Sequence, residues 1–375
     1  MAPTASRDTL PLPRRHDDID VEWLSAALRA GGLDVDVESF TRLPLGEGIG
    51  MMATIELIEL RYSSGRGPAR IAVKLPATNP ANLAVAMAFD IYRREVQFYT
   101  ELAPSVPEFA PTVLFAQSDG VGDFVLILDD MSDYRLGDQL AGCSPADAEL
   151  AVVGLGRLHA AFWDDVDRAA LEFIPWETPS AHGDALRDGV IGVWDSMISA
   201  FGGVVPDFMQ AARDDFLAAV PGMQRWLATP PVTVVHGDFR MDNVFFGRSP
   251  EHRPVAAIDW QGILISKGIR DVAYLISQSM TIEDRRANER RLVDAWHRTL
   301  IECGVGDYSA EQAWDDYRLG VLTSWAIVVL IAGSLDPSNA RGQAWITEMI
   351  KRSAAAIDDL QLIPQVATFI DGVDR

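Results

Sequence analysis

The sequence predicts an α+β fold with two lobes, a sheet-rich N-terminal lobe and a larger, mostly helical C-terminal lobe. Between residues 40 and 128, short apolar or alternating runs are bounded by turn residues, which is typical of strands. After residue 129, long segments have the apolar spacing of helices. The length of 375 residues is sufficient for two lobes with separate cores. We predict a flexible N-terminal arm at residues 1–20, an N-lobe at 21–130 and a C-lobe at 131–375.

The predicted N-lobe is an antiparallel sheet with helices. It begins with a helix at Val21–Ala30, for which Asp20 is the N-cap. Strands are predicted at residues 54–62 and 71–75, joined by a turn-rich segment at 63–68, and again at 112–117 and 124–128. Between the two pairs of strands, residues 84–102 have helical spacing and predict a single helix.

The predicted C-lobe is mostly helical and contains three short strands. A helix is predicted at residues 144–163, with Ser144 as its cap and Pro145 at its first position. Residues 184–226 also predict helix, with interruptions at 202–203 and 206. The strands are predicted at 232–235, 244–246 and 255–258, and helices from 271 to the end.

The composition argues against several classes of partner. A formal net charge of −22 disfavours binding to nucleic acid or to an anionic membrane surface, because like charges repel. This charge identifies no partner by itself, since an acidic balance also keeps proteins soluble. Cys143 and Cys303 lie far apart in the sequence and predict neither a disulfide framework nor a zinc site.

The location of the protein is predicted from what the chain lacks. The proline-rich first 20 residues have no apolar core region of a secretory signal. The longest apolar run, at residues 325–332, is shorter than the roughly 20 residues of a membrane-spanning helix and predicts a buried helix. We therefore predict a cytoplasmic protein that uses no membrane partner. The sequence does not determine its oligomeric state.

The strongest chemical signal follows the first of the three C-lobe strands. His236-Gly237-Asp238 stands on the predicted loop, Asn243 comes where the next strand begins, and Asp259 follows the third strand. An asparagine and an aspartate at neighbouring strand ends supply the oxygen ligands that Mg²⁺ prefers. Asp238 can accept the proton of a hydroxyl, so the set has the parts of a phosphoryl-transfer site. Either aspartate alone could instead cap a turn.

The N-lobe supplies the residues that such a site needs for a nucleotide. Lys74 lies within an apolar strand, and Glu95 lies on the following helix. A strand lysine held by a helical glutamate is the pair that binds the α- and β-phosphates in kinases. Alternatively, Lys74 reaches water from a strand edge and Glu95 lies on a solvated face. Gly46, Gly48 and Gly50 precede the first predicted strand, where glycines let main-chain amides approach phosphates.

These residues resemble those of the aminoglycoside phosphotransferase and choline kinase group, which has a protein-kinase-like fold. His236-Gly237-Asp238 with Asn243 is similar to its catalytic-loop motif, and Ile258-Asp259-Trp260 to its metal-binding segment. The resemblance implies that Asp238 is the catalytic base, that Asn243 and Asp259 bind Mg²⁺, and that His236 supports the loop. It implies ATP as the donor, with GTP not excluded.

The same resemblance implies roles for further residues. The segment around Leu128 and Asp130 is similar to the hinge that binds the purine through main-chain groups. Asp271 matches a position that either caps the following helix or braces the catalytic loop, and His159 is interpreted as a satisfied core histidine. Gln261 stands where many relatives carry an acidic residue, which leaves an extra metal contact there open. The segment Asp259-Trp260-Gln261 looks closest to the ecdysteroid-kinase-like branch.

The predicted function is therefore a small-molecule kinase that phosphorylates a hydroxyl of a small organic substrate: an aminoglycoside, an amino alcohol, a sugar or a steroid-like alcohol. A catalytically silent nucleotide-binding protein of the same fold is the alternative. A metal-dependent hydrolase would require more carboxylate and histidine ligands. A protein kinase would carry His-Arg-Asp and Ala-Pro-Glu segments, which this sequence lacks.

Overall fold

A computed structural model describes residues 9–43, 52–166, 171–334 and 340–371. Contacts between residues divide the chain into two compact units. The N-terminal unit comprises Met1–Tyr134 together with Ile258–Gln261. The C-terminal unit comprises Arg135–Ala257 and Gly262–Arg375.

The N-terminal unit contains a five-stranded antiparallel sheet. Its elements are α1 (Val21–Ala30), β1 (Asp36–Leu43), β2 (Ala53–Ser64), β3 (Arg70–Pro76), α2 (Pro80–Ala88), α3 (Ile91–Gln97), β4 (Val113–Ser118) and β5 (Phe124–Asp129). The strand order is β1-β2-β3-β5-β4. The inner strands β3 and β5 are buried over most of their length, which explains their continuous apolar runs.

Helix α1 forms as predicted and packs on this sheet. The side chain of Asp20 accepts a hydrogen bond from the main-chain N–H of Trp23 at 2.8 Å, which caps the helix. Leu24 and Leu28 are fully buried in one cluster with Ile58 and Ile71 of the sheet. The apolar face of α1 thus covers one side of the strand that carries Lys74.

The prediction of one helix at residues 84–102 is wrong. Two helices, α2 and α3, occupy this region, and a further helical turn follows at Phe98–Leu102. The break lies at Asp90, whose φ of 53° is in the left-handed region that aspartate tolerates better than most residues. A single left-handed residue leaves the apolar spacing almost unchanged, so periodicity alone did not reveal it.

The C-terminal unit is mostly helical, with two small antiparallel sheets. Its elements are β6 (Arg135–Leu136), α4 (Pro145–Ala161), α5 (Ala181–Phe201), α6 (Asp207–Ala211), α7 (Arg213–Leu227), β7 (Thr233–Val235), β8 (Val244–Phe246), β9 (Val255–Ala257), β10 (Leu264–Ser266), α8 (Ile269–Ser279), α9 (Ile282–Glu302), α10 (Ala310–Ser334), α11 (Ala340–Asp359) and α12 (Val366–Asp371). One sheet has the order β6-β8-β9, and β10 pairs with β7 in the other.

The caps and strands predicted for this unit are present. Ser144 accepts a hydrogen bond from the main-chain N–H of Asp147 at 3.1 Å, and α4 begins at Pro145. The three predicted strands are observed to within one or two residues as β7, β8 and β9. Strand β10 was not predicted. It has only three residues, too few to show alternation, and exists because it pairs with β7.

Helices α8 and α10 of the C-terminal unit differ in how completely they are buried. Every residue of α8 is buried. Helix α10 is long and apolar enough to cross a membrane, but 56% of its most apolar window is buried inside the fold. Within it, Trp325, Val328, Val329 and Ala332 are buried, which agrees with the buried helix predicted for this run.

Candidate active site

Lys74 makes two ion pairs within the N-terminal unit. Its Nζ atom lies 2.7 Å from Oε1 of Glu95 on α3 and 2.9 Å from Oδ1 of Asp259. Lys74 is 7% exposed and Glu95 is 1% exposed. These values do not fit a lysine that reaches water or a glutamate on a solvated helix face. The structure thus brings the predicted phosphate-binding pair together.

The charges around Lys74 keep it protonated. Burial alone would lower the pKa of Lys74, but the carboxylates of Asp259 and Glu95 outweigh burial and raise that pKa above its ordinary value. Burial raises the pKa of Glu95, and the Lys74 ammonium group opposes this shift. The result is a fixed buried ammonium group, which is suited to binding nucleotide phosphates.

The segment Ile258–Gln261 belongs to the N-terminal unit, although the residues on both sides of it do not. Trp260 is fully buried and stacks on Phe98, with ring centroids 3.6 Å apart. The side chain of Gln261 donates a hydrogen bond from Nε2 to Oε2 of Glu95 at 3.0 Å. Asp259 has a left-handed φ of 66°, an unusual conformation that these contacts maintain. Its side chain remains 34% exposed.

The predicted hinge residues lie at the end of β5. Leu128 is buried and pairs with Ala72 of β3. The Asp130 carboxylate lies 2.8 Å from Nε of Arg70 and accepts a hydrogen bond from the main-chain N–H of Ser132 at 2.9 Å. With its carboxylate engaged, Asp130 would contact a nucleotide through main-chain atoms. The roles of Leu128 and Asp130 in nucleotide binding stay predictions. The predicted glycine loop with Gly46, Gly48 and Gly50 lies outside the described residues.

In the C-terminal unit, Asp271 holds the loop that carries Asp238. Asp271 is the third residue of α8 and is 1% exposed. Its Oδ2 accepts a hydrogen bond from the main-chain N–H of His236 at 2.7 Å, and its Oδ1 accepts one from Gly237 at 3.0 Å. Of the two roles predicted for Asp271, the structure shows the bracing one, whereas Gly268 occupies the N-cap position.

The Asp271 carboxylate is ionised at neutral pH. Burial alone would raise the pKa of Asp271, but its interactions with His159 and His236 and with the main-chain donors lower it below the ordinary value. The negative charge is therefore present where the loop N–H groups point.

Gly237 makes the sharp turn of this loop possible. Its φ is 83°, and a β carbon at this position would lie 2.1 Å from the carbonyl oxygen of Gly262. Only glycine fits both the conformation and the space. The predicted motif therefore contains glycine for a steric reason, and the turn presents Asp238 directly after it.

Among the described residues, three side chains contact the Asp238 carboxylate. The hydroxyl of Tyr274 donates to Oδ1 at 3.4 Å, and Nδ2 of Asn243 donates to Oδ2 at 3.2 Å. Nε of Arg240 lies 3.3 Å from the same Oδ2. The Asp238 side chain nevertheless remains 37% exposed. The carboxylate is thus oriented by the protein and accessible to a ligand.

The two histidines near the loop have structural roles, as predicted. His236 is fully buried, and its Nδ1 accepts the main-chain N–H of Asp238 at 3.3 Å. His159 is also fully buried, and its Nδ1 accepts the indole N–H of Trp296 at 3.0 Å. Its Nε2 then carries the proton and faces Oδ2 of Asp271 at 3.4 Å.

The predicted metal ligands Asn243 and Asp259 belong to different units. Asn243 is 4% exposed and uses its amide nitrogen for the main-chain oxygen and the carboxylate of Asp238. Its amide oxygen is the atom that a magnesium ligand would require. Within the described ranges, no group of three or more histidine, cysteine, aspartate or glutamate side chains could hold a metal ion. The shared metal site stays a prediction.

A pocket lies beside the catalytic loop within the C-terminal unit, and we call it the C-terminal pocket. It has a volume of about 590 Å³, including space open to solvent. Helices α5, α7, α8 and α10 line it together with Gly237 and Tyr274. Because Tyr274 also contacts Asp238, the pocket adjoins the predicted base.

Sequence reasoning missed several residues of this site. Tyr274 lies three positions after Asp271 on the same helix face, and this spacing could have indicated it. Gln139 accepts a hydrogen bond from the main-chain N–H of Met241 at 2.9 Å and so holds the end of the catalytic loop. Neither Gln139 nor the contact of Gln261 with Glu95 has a local sequence signal, because each depends on a residue far along the chain.

Comparisons with known proteins agree with this geometry. The sequence model of the ecdysteroid kinase-like family matches residues 48–304. The chain is similar to the solved structure of the GDP complex of wild-type aminoglycoside 2'-phosphotransferase-IIIa, with 12% identity and a TM-score of 0.53 over 90% of this chain and 99% of that one. No curated protein sequence matches significantly.

Two further structures show the same likeness. A microcompartment-associated aminopropanol kinase has 15% identity and a TM-score of 0.52 over 94% of this chain and 99% of that one. Choline kinase from Cryptosporidium parvum Iowa II has 9% identity and a TM-score of 0.50 over 89% and 90%. At such identities the likeness establishes the fold, and it confirms the predicted protein-kinase-like α+β fold.

Proposed function

Because the chain belongs to the ecdysteroid kinase-like family, we propose that it is a small-molecule kinase that transfers the terminal phosphoryl group of ATP to a hydroxyl of a small organic substrate. The observation that carries this proposal is the position of Asp238. Its carboxylate is oriented by Tyr274 and Asn243, remains accessible, and adjoins the C-terminal pocket.

In the proposed reaction, Asp238 orients the acceptor hydroxyl and accepts its proton. The hydroxyl oxygen forms a bond to the terminal phosphorus of the nucleotide, and the bond from that phosphorus to the bridging oxygen breaks. The products are a nucleoside diphosphate and a phosphate monoester. Lys74, held by Glu95, binds the donor phosphates through its ammonium group. The GDP complex of a similar phosphotransferase supports a nucleotide donor, and GTP remains an alternative to ATP.

We propose that Asn243 and Asp259 hold Mg²⁺. The donor set fits this ion, because an amide oxygen and a carboxylate are hard ligands and Mg²⁺ takes its other ligands from phosphates and water. When bound, the ion would neutralise charge on the phosphates. We also propose a cytoplasmic protein without a nucleic-acid or membrane partner, and its free cysteines are consistent with a reducing compartment.

The test is a coupled assay of nucleotide consumption with Mg²⁺ and a panel of aminoglycosides, amino alcohols, sugars and sterol-like alcohols. We expect Asp238→Ala to lower kcat by roughly 10²–10⁴-fold, the contribution of a general base, with little change in nucleotide affinity. Asp259→Ala should weaken Mg²⁺-dependent nucleotide binding as well as turnover. The matched control is Asp214→Ala, because Asp214 has a side chain that is 89% exposed.

Normal turnover by Asp238→Ala would contradict the proposal. If the wild-type protein bound nucleotide but turned over no acceptor, the result would favour a silent nucleotide-binding protein. If it showed neither nucleotide binding nor turnover, the proposed kinase function would be wrong.

A further inference from the structure

Asn243 lies in a stretch of main chain that is held on both sides by the short segment after strand β6. The main-chain N–H of Gly137 donates a hydrogen bond to the carbonyl oxygen of Val244 at 2.8 Å. The main-chain N–H of Gln139 donates one to Oδ1 of Asp242 at 3.0 Å. Both neighbours of Asn243 in the chain are therefore bonded to this segment.

The side chain of Gln139 is the centre of the contact. Gln139 is 1% exposed. Its Oε1 accepts two hydrogen bonds, one from the main-chain N–H of Met241 at 2.9 Å and one from Oγ of Ser279 at 3.0 Å. Its Nε2 donates to the main-chain oxygen of Gln278 at 3.1 Å. Because Gln278 and Ser279 end α8, Gln139 connects the end of this helix with the end of the catalytic loop.

Arg352 of α11 fixes Gln139 in turn. Its Nη1 donates to the main-chain oxygen of Gln139 at 2.8 Å, and its Nη2 donates to that of Leu140 at 2.8 Å. Arg352 is 6% exposed, and hydrogen bonds from a charged donor are stronger than neutral ones. The main-chain N–H, the main-chain oxygen and both side-chain polar groups of Gln139 thus all have partners within the C-terminal unit.

Helix α8 therefore holds the catalytic loop at both ends. Asp271, in its first turn, braces the part of the loop before Asp238. The last turn of α8, through Gln139, braces the part that leads to Asn243. The two braces serve different groups, because Asp238 is the proposed base and Asn243 is a proposed metal ligand. A change at Gln139 should act first on the metal ligand.

We propose that Gln139 is a positioning residue of the metal site, which holds the main chain around Asn243 so that the amide oxygen of Asn243 can bind Mg²⁺. The proposal rests on the proposed function, because that function assigns Mg²⁺ to Asn243. Gln139 itself is not a ligand, since both lone pairs of its Oε1 are occupied by Met241 and Ser279. Residues that orient metal ligands typically contribute about 10–100-fold to metal affinity.

The test measures how much Mg²⁺ strengthens nucleotide binding, and it requires no acceptor and no turnover. The ligand is whichever of AMP-PNP and GMP-PNP the wild-type chain binds more tightly. Titration calorimetry of the full chain gives its Kd in EDTA and in excess Mg²⁺, and we call the ratio of these two values the Mg²⁺ advantage.

Gln139→Met keeps the length of the side chain and removes its three hydrogen bonds. We expect the Mg²⁺ advantage to fall by about tenfold. The Kd in EDTA should stay close to that of the wild type, because the Lys74–Glu95 pair is not altered. Ser279→Ala, which removes only one donor to Oε1, should lower the advantage by about threefold and tests the same point if Gln139→Met does not fold.

Gln139→Glu separates metal affinity from stability. Its carboxylate can still accept the N–H of Met241 and the hydroxyl of Ser279, so most of the Mg²⁺ advantage should be retained. A buried carboxylate that faces the main-chain oxygen of Gln278 should nevertheless lower the free energy of unfolding. A residue with a purely structural role would instead lose metal affinity in step with stability.

Gln210→Met is the matched control. Nε2 of Gln210 donates to the carbonyl oxygens of Gly202 and Val205 at 3.1 and 2.8 Å, so this variant also removes hydrogen bonds of a glutamine in the C-terminal unit. Gln210 lies on α6, outside the catalytic loop, and the Mg²⁺ advantage should not change. Hydrogen exchange of the peptide that contains Met241 should be faster in Gln139→Met and unchanged in Gln210→Met.

The outcomes separate the positioning of Asn243 from the kinase reaction. A Mg²⁺ advantage that falls in Gln139→Met, in a chain that turns over no acceptor, would count against the proposed kinase function and support the positioning role. An unchanged advantage in folded Gln139→Met or Ser279→Ala would overturn the positioning role. Equal losses in Gln139→Met and Gln139→Glu would overturn it too, as would a wild-type chain to which Mg²⁺ makes no difference. A wild-type chain that binds neither analogue would overturn both proposals.

Discussion

At the scale of single residues, the catalytic loop depends on a buried carboxylate that does no chemistry itself. Asp271 accepts hydrogen bonds from His236 and Gly237, and the turn at Gly237 then presents Asp238. Hydrogen bonds to a charged group are stronger than neutral ones. The position of the predicted base therefore rests on the negative charge of Asp271.

This dependence predicts a pH-sensitive loss of stability. The pKa of Asp271 is lower in the folded protein than its ordinary value, so the ionised group stabilises the fold above about pH 4, and this contribution is lost as the pH falls through the folded-state pKa. We expect Asp271→Asn to lower the free energy of unfolding by about 1–3 kcal/mol at neutral pH. Urea denaturation at several pH values measures the difference, which should shrink below about pH 4.

The control for this prediction is Asp214→Asn, which changes an exposed aspartate and should leave the free energy of unfolding nearly constant. If the effect of Asp271→Asn were the same at acidic and neutral pH, shape rather than charge would hold the loop.

Some residues of the site could be identified from the sequence and others could not. His236-Gly237-Asp238 and Asn243 could be singled out because they lie close together in the sequence, and the steric need for Gly237 explains one of them. Gln139 contacts the loop from a distant position, and the hydrogen bond of Gln261 joins it to Glu95, which is also far away in the sequence. No local pattern indicates either contact, so only the folded chain identifies them.

At the scale of elements, the segment Ile258–Gln261 determines where Asp259 lies. Trp260 stacks on Phe98, and Gln261 is bonded to Glu95. Because Asp259 lies between Ile258 and these two anchored residues and pairs with Lys74, its carboxylate depends on the packing of Trp260.

We predict that Trp260→Leu weakens nucleotide binding beyond its effect on stability. The smaller side chain leaves a cavity and should cost about 2–4 kcal/mol of unfolding free energy. It should also raise the Kd for MgATP by about tenfold or more, since Asp259 loses its anchored neighbour. Calorimetric titration of the full chain measures this Kd.

Trp194→Leu provides the comparison, because Trp194 is equally buried in the C-terminal unit. It should cost similar stability and leave the Kd for MgATP within about twofold of wild type. Equal effects of the two variants on nucleotide affinity would show that Trp260 acts only on stability.

Elements differed in how well the sequence predicted them. Helices α1 and α4 were predicted with their caps, because capping is local chemistry. The break at Asp90 and strand β10 were not predicted. The break is a single left-handed residue, and β10 is a strand of three residues that pairs with β7. Neither feature alters the local apolar pattern enough to be detected in the sequence.

At the scale of the whole molecule, the net charge of −22 should oppose folding through self-repulsion. Many of its ion pairs are exposed, and such pairs contribute little each. Added salt should therefore weaken the repulsion between like charges more than it weakens the attraction within the ion pairs. We predict that the melting temperature rises by a few degrees when NaCl is increased from about 0.02 to about 0.3 M.

Differential scanning calorimetry measures this shift. KCl at equal ionic strength should reproduce it, because screening depends on ionic strength and not on the particular cation. A melting temperature that falls with salt would mean that the ion pairs outweigh the net charge.

The sequence by itself determined the α+β class and predicted the catalytic loop and the Lys74–Glu95 pair, since these have local patterns or an order along the chain. Its resemblance to a known group predicted the kinase-like fold. The roles of Asp238, Asn243 and Asp259 remain predictions for the assays above. Only the tertiary structure decided that Asp271 braces the loop and that Gln261 holds Glu95. It also decided that Arg270 neutralises Glu177 in the C-terminal pocket. The physical reason is that a side chain's charge is compensated by whichever partner folding brings near, and no local pattern specifies a partner far along the chain.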